Sequence, residues 1–158
     1  MPDFSKECML EAIKYSRSNL EDGTGGPFGA VIAKDGKIIA AASNKVTSTN
    51  DPTAHAEINA IRLACKKLNT FSLEGCEIYT SCEPCPMCLS AVHWARIKKI
   101  YYANTREDAA EINFDDDFIY NEVSKAAEDR VIPMVRMMRD EAKQVFKDWE
   151  KKEDKIGY

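Results

Sequence analysis

Two stretches decide how this chain folds: Thr53-Ala54-His55-Ala56-Glu57, and Ser81-Cys82-Glu83-Pro84-Cys85-Pro86-Met87-Cys88. Each follows a strand or loop pattern and precedes a helical one, so each places its polar side chains at the start of a helix. Helix N-termini carry partial positive charge, which stabilises thiolates located there. Strand and helix patterns alternate on both sides of these stretches, and this alternation predicts an α/β fold.

The two stretches together predict a zinc site. Cys85 and Cys88 stand three positions apart at a helix start and can reach one ion, and His55 supplies a third ligand. Three protein ligands leave one tetrahedral position open for water, which is typical of catalytic rather than structural zinc. Glu57 lies two positions after His55 and is predicted to move protons to and from that water as general base and general acid.

Cys82 opens an alternative, because Cys82, Cys85 and Cys88 match the first three cysteines of a bacterial iron–sulfur run. Such a run continues with a cysteine four residues later, where this chain has Val92. A structural, cysteine-rich zinc site is a second alternative. The interpretation that we favour makes Cys82 the end of a buried strand.

The other cysteines and the histidine of the second helix are predicted to have packing roles. Three cysteines are expected to be core thiols: Cys8, Cys65 and Cys76. His93 is expected to be a packed or surface residue, and Trp94 either a core residue or a wall of the pocket.

The composition is that of an ordinary globular domain, with 158 residues, 44% of them hydrophobic and 30% charged. It predicts a single domain over residues 1–158, with 140–158 as a charged C-terminal helix and tail. A net charge of −4 and scattered basic residues argue against a nucleic-acid partner. The chain has no apolar run of membrane-spanning length and no secretory signal pattern, so we expect a cytoplasmic protein with reduced cysteines.

Apolar spacing and turn residues predict the order of elements. Strands are expected at residues 28–34, 37–43, 76–80, 100–103 and 131–138, the first two joined as a hairpin by Asp35-Gly36. Helices are expected at residues 4–21, 54–67, 86–96 and 140–152, with short helices between 106 and 125. The predicted fold is a three-layer α/β/α sandwich around a five-stranded, mixed, mostly parallel sheet with an opening β-hairpin.

A wider resemblance accompanies the H-x-E and P-C-x-x-C pattern, which is the known signature of zinc-dependent nucleobase deaminases. The chain resembles the bacterial guanine deaminases of the cytidine-deaminase-like superfamily, and the similarity covers essentially all of it. The metal motif fits every member of that superfamily, whereas the last of the following stretches favours guanine. The stretches that carry the resemblance are 25–32, 50–57, 79–88, 94–96 and 114–120.

This resemblance implies an activity and a set of substrate contacts. The activity is hydrolytic deamination of guanine to xanthine and ammonia, by a hydrolase of cyclic amidine C–N bonds that holds one Zn²⁺ per chain. Phe28 would lie against the purine ring, Asn44 would bind ring nitrogens, and Asp116 would accept ring N–H groups. The implied set also includes Ala54, Trp94 and Tyr158. A homodimer is implied, with exchange of the C-terminal tails that close the active site as one arrangement.

Other substrates remain open at this point: cytosine, adenine, a triazine-like ring, or adenosine in tRNA. A non-catalytic zinc-stabilised module, in which Glu57 only caps a helix, is the alternative from a different class of protein.

Overall fold

The predicted order of helices and strands is largely realised in the structure, a computed structural model that describes residues 3–158. The helices are α1 (Phe4–Asp22), α2 (Val46–Thr49), α3 (Ala56–Leu68), α4 (Pro86–Trp94), α5 (Arg106–Glu111), α6 (Asp117–Ser124) and α7 (Arg139–Lys151). The strands are β1 (Gly29–Lys34), β2 (Lys37–Ser43), β3 (Glu77–Cys82) and β4 (Lys99–Asn104). The described chain forms two compact units that divide between Asp117 and Phe118.

The sheet of the first unit has the strand order β2-β1-β3-β4. β1 runs antiparallel to both β2 and β3, and only β3 and β4 are parallel. The α/β class is therefore confirmed, but the predicted predominance of parallel pairing is wrong. The reason is that apolar patterns locate strands without recording their direction.

The predicted fifth strand is also wrong for the described chain, because residues 131–138 join no sheet. Apolar residues are frequent in this segment, as they would be in a strand, but a strand exists only when its backbone pairs with a neighbour.

The hairpin between β1 and β2 forms as the sequence predicts. Asp35 and Gly36 both have positive φ, at 49° and 72°, which is the backbone of a type I′ turn. The turn joins Lys34 to Lys37, which face each other as the last pair of the antiparallel register.

Helices cover both faces of the sheet, which confirms the three-layer arrangement. Alternate strand residues point to opposite faces. On one face, Val31 and Tyr79 pack with Cys8 and Ala12 of α1. On the other face, a larger core joins the sheet to α3 and α4 through Ala30, Ile32, Ile78, Ala56, Ala60, Ala64 and Val92.

Gly29 shows how closely α1 crosses the sheet. A Cβ atom at this position would lie 2.1 Å from the carbonyl oxygen of Ala12 and 2.7 Å from the backbone nitrogen of Ser16. Only glycine lets β1 begin directly beneath α1, and this contact fixes the chain directly after the loop that carries Phe28.

The second unit, from Phe118 to Tyr158, contains most of α6 and all of α7. Within it, Arg130 Nε donates to the carbonyl oxygen of Glu122 at 3.1 Å, and the backbone N–H of Val131 donates to Glu122 Oε2 at 2.8 Å. Several large apolar side chains of this unit are exposed: Val131, Ile132, Met134, Val135, Met137, Met138, Val145, Phe146 and Trp149. Between residues 3 and 158, no helix is both long and apolar enough to span a bilayer.

Candidate active site

Two helix N-termini meet at the candidate site. His55 is the N-cap residue of α3 and Glu57 lies in the first turn of that helix. Cys85 is the N-cap residue of α4, Pro86 occupies its first turn, and Cys88 follows one turn on. Because neither His55 nor Cys85 uses its side chain to cap its helix, both side chains are available to a metal.

The three predicted ligands come together as a metal site. His55 Nδ1 lies 3.6 Å from Cys85 Sγ and 3.5 Å from Cys88 Sγ, and the three donor atoms all lie within 4.8 Å of one another. A tetrahedral zinc ion with ordinary Zn–S and Zn–N bonds separates sulfur from nitrogen by about 3.6 Å. The donor set and its spacing therefore fit zinc.

Cys82 stands outside this ligand group. It is the last residue of β3 and is buried, as predicted. Its Sγ donates to the carbonyl oxygen of Thr105 at 3.6 Å, and burial raises the pKa of the thiol to about 11. Cys82 is therefore a protonated thiol with a backbone partner, and the described residues do not bring it to the metal ligands as an iron–sulfur run would require.

The remaining packing predictions are confirmed, except that Cys65 is only partly buried. Cys8 and Cys76 are fully buried, and Cys65 is half-buried against the core. His93 is exposed near the end of α4.

A hydrogen bond between the two ligand thiols makes them chemically unequal. Donation from Cys88, with further help from His55, lowers the pKa of Cys85 to about 4. The same hydrogen bond and burial raise the pKa of Cys88. Since zinc binds thiolates, metal binding at this site displaces the proton of Cys88.

Glu57 lies buried in contact with one of the predicted ligands. Its side chain is buried, and its Oε2 accepts a hydrogen bond from Cys88 Sγ at 3.4 Å. Burial raises the pKa of the carboxyl group above its ordinary value. A carboxylate in this environment takes up a proton more readily than an exposed one does, which suits a group that must act as base and then as acid.

Asp116 presents an unpaired acceptor next to this centre. Its Oδ1 atom is buried and has no hydrogen-bond partner among the described residues. Burial raises the pKa of Asp116, and the charge of Cys85 raises it further. A buried acceptor without a donor costs about 1–3 kcal/mol. Such a group calls for an explanation, and a ligand that supplies N–H donors provides one.

Asn44 and Phe28 are two further residues of the predicted substrate site. Asn44 is buried, and its Oδ1 accepts from the backbone N–H groups of Gly26 and Val46 at 3.3 and 3.0 Å. Phe28 meets Phe114 edge to face, with ring centroids 5.0 Å apart at 90°. Phe114, for which the sequence predicted no role, therefore holds the Phe28 ring in place.

The described contacts do not test the substrate roles predicted for three further residues. The carbonyl oxygen of Ala54 already accepts from Lys45 N and Asn59 Nδ2. Trp94 ends α4, is 67% exposed and lies about 9 Å along the helix axis from Cys88. Tyr158 ends the second unit and is exposed. The roles of these residues stay predictions.

Sequence reasoning missed Asn19, which is buried in α1 and hydrogen-bonds to the carbonyl oxygens of Gly26 and Asn44. A signal was present in the sequence. Residues 8, 12, 15 and 19 share one face of the helix, and Asn19 is the polar member of an otherwise apolar stripe.

The sequence is similar to a known protein family and to individual proteins of known function. Residues 2–104 match the family model described as "Cytidine and deoxycytidylate deaminase zinc-binding region". The guanine deaminase of Bacillus subtilis (strain 168) is 52% identical over 150 residues, which are 95% of this chain and 96% of that protein. The tRNA-specific adenosine deaminase of Aquifex aeolicus is 46% identical over 62% of this chain and 65% of that protein.

Among solved structures, the X-ray structure of guanine deaminase from Bacillus subtilis matches with a TM-score of 0.94 and 50% identity. That match covers 97% of this chain and 98% of the other. The similarity thus extends through both compact units, whereas the match to the adenosine deaminase stops well short of the full chain.

Proposed function

This chain belongs to the cytidine and deoxycytidylate deaminase zinc-binding family, and from that membership we propose that it deaminates guanine to xanthine and ammonia. The enzyme is a zinc-dependent hydrolase with one Zn²⁺ per chain, held by His55, Cys85 and Cys88. The Bacillus subtilis relative supports the choice of guanine within the family, since the likeness to it covers nearly the whole chain.

The Asp116 carboxylate is the main structural reason for assigning guanine as the substrate. Guanine presents two neighbouring donors, the ring N1–H and the 2-amino group, and a carboxylate accepts from both. Adenine and cytosine place an unprotonated ring nitrogen beside their amino group, so they would set a lone pair against the carboxylate. The buried and unpartnered Oδ1 of Asp116 is therefore matched to guanine and mismatched to the other two bases.

Asn44 complements Asp116, because it offers the base a hydrogen-bond donor where Asp116 offers an acceptor. Its Oδ1 is used by two backbone donors, and its Nδ2 donates to none of residues 3–158. The side chain therefore offers a donor to an acceptor atom of the base. Phe28 supplies an apolar face for the purine ring, supported by Phe114.

Glu57 moves the protons of the reaction. A zinc ion held by His55, Cys85 and Cys88 would act as a Lewis acid and would make the attacking water easier to deprotonate near neutral pH. Glu57 accepts a proton from the attacking water and gives it to the ring nitrogen beside C2. It then takes the remaining proton from the hydroxyl group added at C2 and passes it to the departing amine; the C2–N bond breaks, the C2 carbonyl forms, and water and guanine have become xanthine and ammonia. Its burial keeps competing water away, and its raised pKa favours its holding the proton between these transfers.

Ammonia release from a panel of bases tests the substrate. We expect turnover of guanine, slow turnover of cytosine and adenine, and none of a tRNA anticodon stem-loop. The Glu57→Gln protein, purified and zinc-loaded in the same way, is the matched control for contaminating deaminases. Faster release from cytosine or from the RNA would overturn the assignment of guanine and leave the metal site standing.

We also propose that the protein is a cytoplasmic homodimer in which the second unit covers apolar surface of a partner copy. The apolar side chains of that unit include Phe146, which is 77% exposed. The first unit offers a groove of about 580 Å³ beside the edge strand β4, lined in part by Met9, Ile100 and Tyr101. All six cysteines are free thiols, which suits a reducing compartment.

Light scattering on the purified enzyme tests the dimer. Phe146→Glu is expected to produce monomers, because it puts a charge where the apolar contact is proposed. Lys147→Gln, which makes the same change in net charge at the next exposed position, is expected to remain dimeric. A monomeric wild-type protein would refute the proposal.

A further inference from the structure

A buried amide links the first helix to two loops of the candidate site. Asn19 is 3% exposed, and its Nδ2 donates to the carbonyl oxygens of Gly26 at 2.8 Å and Asn44 at 2.7 Å. Its Oδ1 lies 3.0 Å from the hydroxyl of Thr24, whose single proton is also 2.7 Å from the competing acceptor Asp22 Oδ1. Both N–H groups of the Asn19 amide are thus engaged, and its orientation is determined because Nδ2 faces two carbonyl oxygens.

Asn44 is enclosed from several directions by this arrangement. Asn19 holds its backbone carbonyl, while the backbone N–H groups of Gly26 and Val46 hold its side-chain oxygen. Gly25 closes a further side, because a Cβ atom there would lie 2.2 Å from the Asn44 carbonyl oxygen and 2.5 Å from its Oδ1. The side-chain amide is therefore held in one of its two orientations, with Nδ2 left as the donor available to a ligand.

None of these contacts involves the metal ligands or Glu57. The polar side chain of Asn19 occupies a position on the apolar stripe of α1 where a hydrophobic residue would pack without needing partners. Its hydrogen bonds instead connect the loop before Phe28 to the segment after β2. Those are the two loops that carry the proposed ring contact and the proposed donor.

We propose that Asn19 is a positioning residue for base recognition, which acts by holding Asn44 with its Nδ2 donor presented to the substrate. This inference rests on the proposed function, since it assigns Asn19 to the recognition of the same base. Without Asn19, the Asn44 carbonyl loses its partner and the segment can shift away from the base. A displacement of about 1 Å in a positioning group can lower turnover by about 100-fold.

A double-mutant cycle tests whether Asn19 acts through Asn44. Asn19→Ala is expected to lower kcat/KM for guanine by about 10- to 100-fold, with much of the change in KM. In an Asn44→Ala background, the same substitution is expected to change kcat/KM by no more than about twofold, because its route to the base is already removed. Independent, additive losses in the cycle would overturn the proposal.

Gly25→Ala approaches the same residue without changing Asn19. The added Cβ meets Asn44 directly, so we expect KM for guanine to rise as it does in Asn19→Ala. This variant keeps the proposal falsifiable if Asn19→Ala does not fold. An unchanged KM in a folded, zinc-loaded Gly25→Ala protein would count against the positioning of Asn44.

Ala12→Gly is the matched control for stability. Ala12 is buried on the same helix but packs on the sheet core, away from Asn44. We expect it to lower the melting temperature and leave KM unchanged, because partial unfolding reduces the amount of active enzyme without altering its affinity. A rise of KM in Ala12→Gly equal to that in Asn19→Ala would reduce Asn19 to a structural role.

The failure of this proposal is distinguishable from failure of the proposed function. If the wild-type enzyme does not deaminate guanine, the proposed function fails and this inference falls with it. A different result would refute only the positioning role of Asn19. In that case the wild-type enzyme deaminates guanine and Asn44→Ala lowers this activity, but Asn19→Ala still has its full effect in the Asn44→Ala background.

Discussion

Replacing Asp116 by asparagine should weaken the enzyme while stabilising the free protein. The substitution preserves the shape of the side chain but removes its charge and turns one acceptor into a donor. In the free protein, a buried oxygen without a partner no longer bears charge. In the complex, the new N–H group faces a donor of guanine.

The magnitudes follow from these contacts. A hydrogen bond to a charged group contributes about 1.5–3 kcal/mol, so a loss of about 3 kcal/mol from the guanine contacts corresponds to about a 100-fold lower kcat/KM. Asp116 as a whole is only half-buried. Removal of its buried charge in Asp116→Asn should therefore raise the free energy of unfolding by on the order of 1 kcal/mol, which is the lower end of the range for an unsatisfied group.

The stability gain has a defined dependence on pH. Burial raises the pKa of Asp116 in the folded state above its ordinary value of 3.8. The folded protein then binds more protons than the unfolded chain between these two pKa values, so wild-type stability falls relative to the variant as pH rises through that interval. Well below 3.8 the carboxyl group is neutral in both states, and the gain disappears.

Steady-state guanine kinetics, zinc content and urea unfolding at several pH values from about 4 to about 8 measure these effects. Asp115→Asn is the matched control, because Asp115 is an exposed neighbour and the change in charge is the same. Its Oδ1, which accepts from Asp117 N, can still accept after substitution. Wild-type kcat/KM in a zinc-loaded Asp116→Asn enzyme would refute our reasoning about guanine recognition.

Three further predictions concern the metal, the proton carrier and the tail. Glu57→Gln should keep zinc and fold while losing about 10²–10⁴-fold in kcat; more than about a tenth of wild-type activity would make Glu57 a helix-capping residue. Cys85→Ala should lose zinc, measured by elemental analysis, and melt at a lower temperature because metal affinity contributes to folding; full zinc retention would contradict the ligand assignment. Deletion of residues 156–158 should raise KM or lower kcat for guanine without loss of zinc; unchanged kinetics would show that Tyr158 has no role in catalysis or substrate binding.

Local features of the active site could be predicted from the sequence because their geometry is local. Cys85 and Cys88 lie one helical turn apart at the start of α4, and His55 and Glu57 share the start of α3. The Asp35-Gly36 turn likewise needs only the two residues that accept positive φ. In each case, neighbouring residues and helix or turn geometry suffice to place the side chains.

Contacts between distant parts of the chain required more than these patterns. The meeting of His55 with Cys85 and Cys88 was inferred from the chemistry of zinc and from a known signature, since about thirty residues separate the two halves. Strand direction was predicted wrongly, and residues 131–138 have strand-like composition without a paired strand. Apolar patterns record which face of an element is buried but not the neighbour that buries it.

By itself, the sequence predicted the zinc ligands and the proton carrier and determined the α/β class, because these depend on residue type and short spacing. Only the tertiary structure decided that Asp116 keeps a buried oxygen without a partner, and that Asn44 is held by Asn19 so that its amide offers a donor. The physical reason is that an unpaired group, or the orientation of an amide, is a property of all its neighbours together. Those neighbours come from α1, from the loop before β1 and from the segment after β2, which are brought together only when the chain folds.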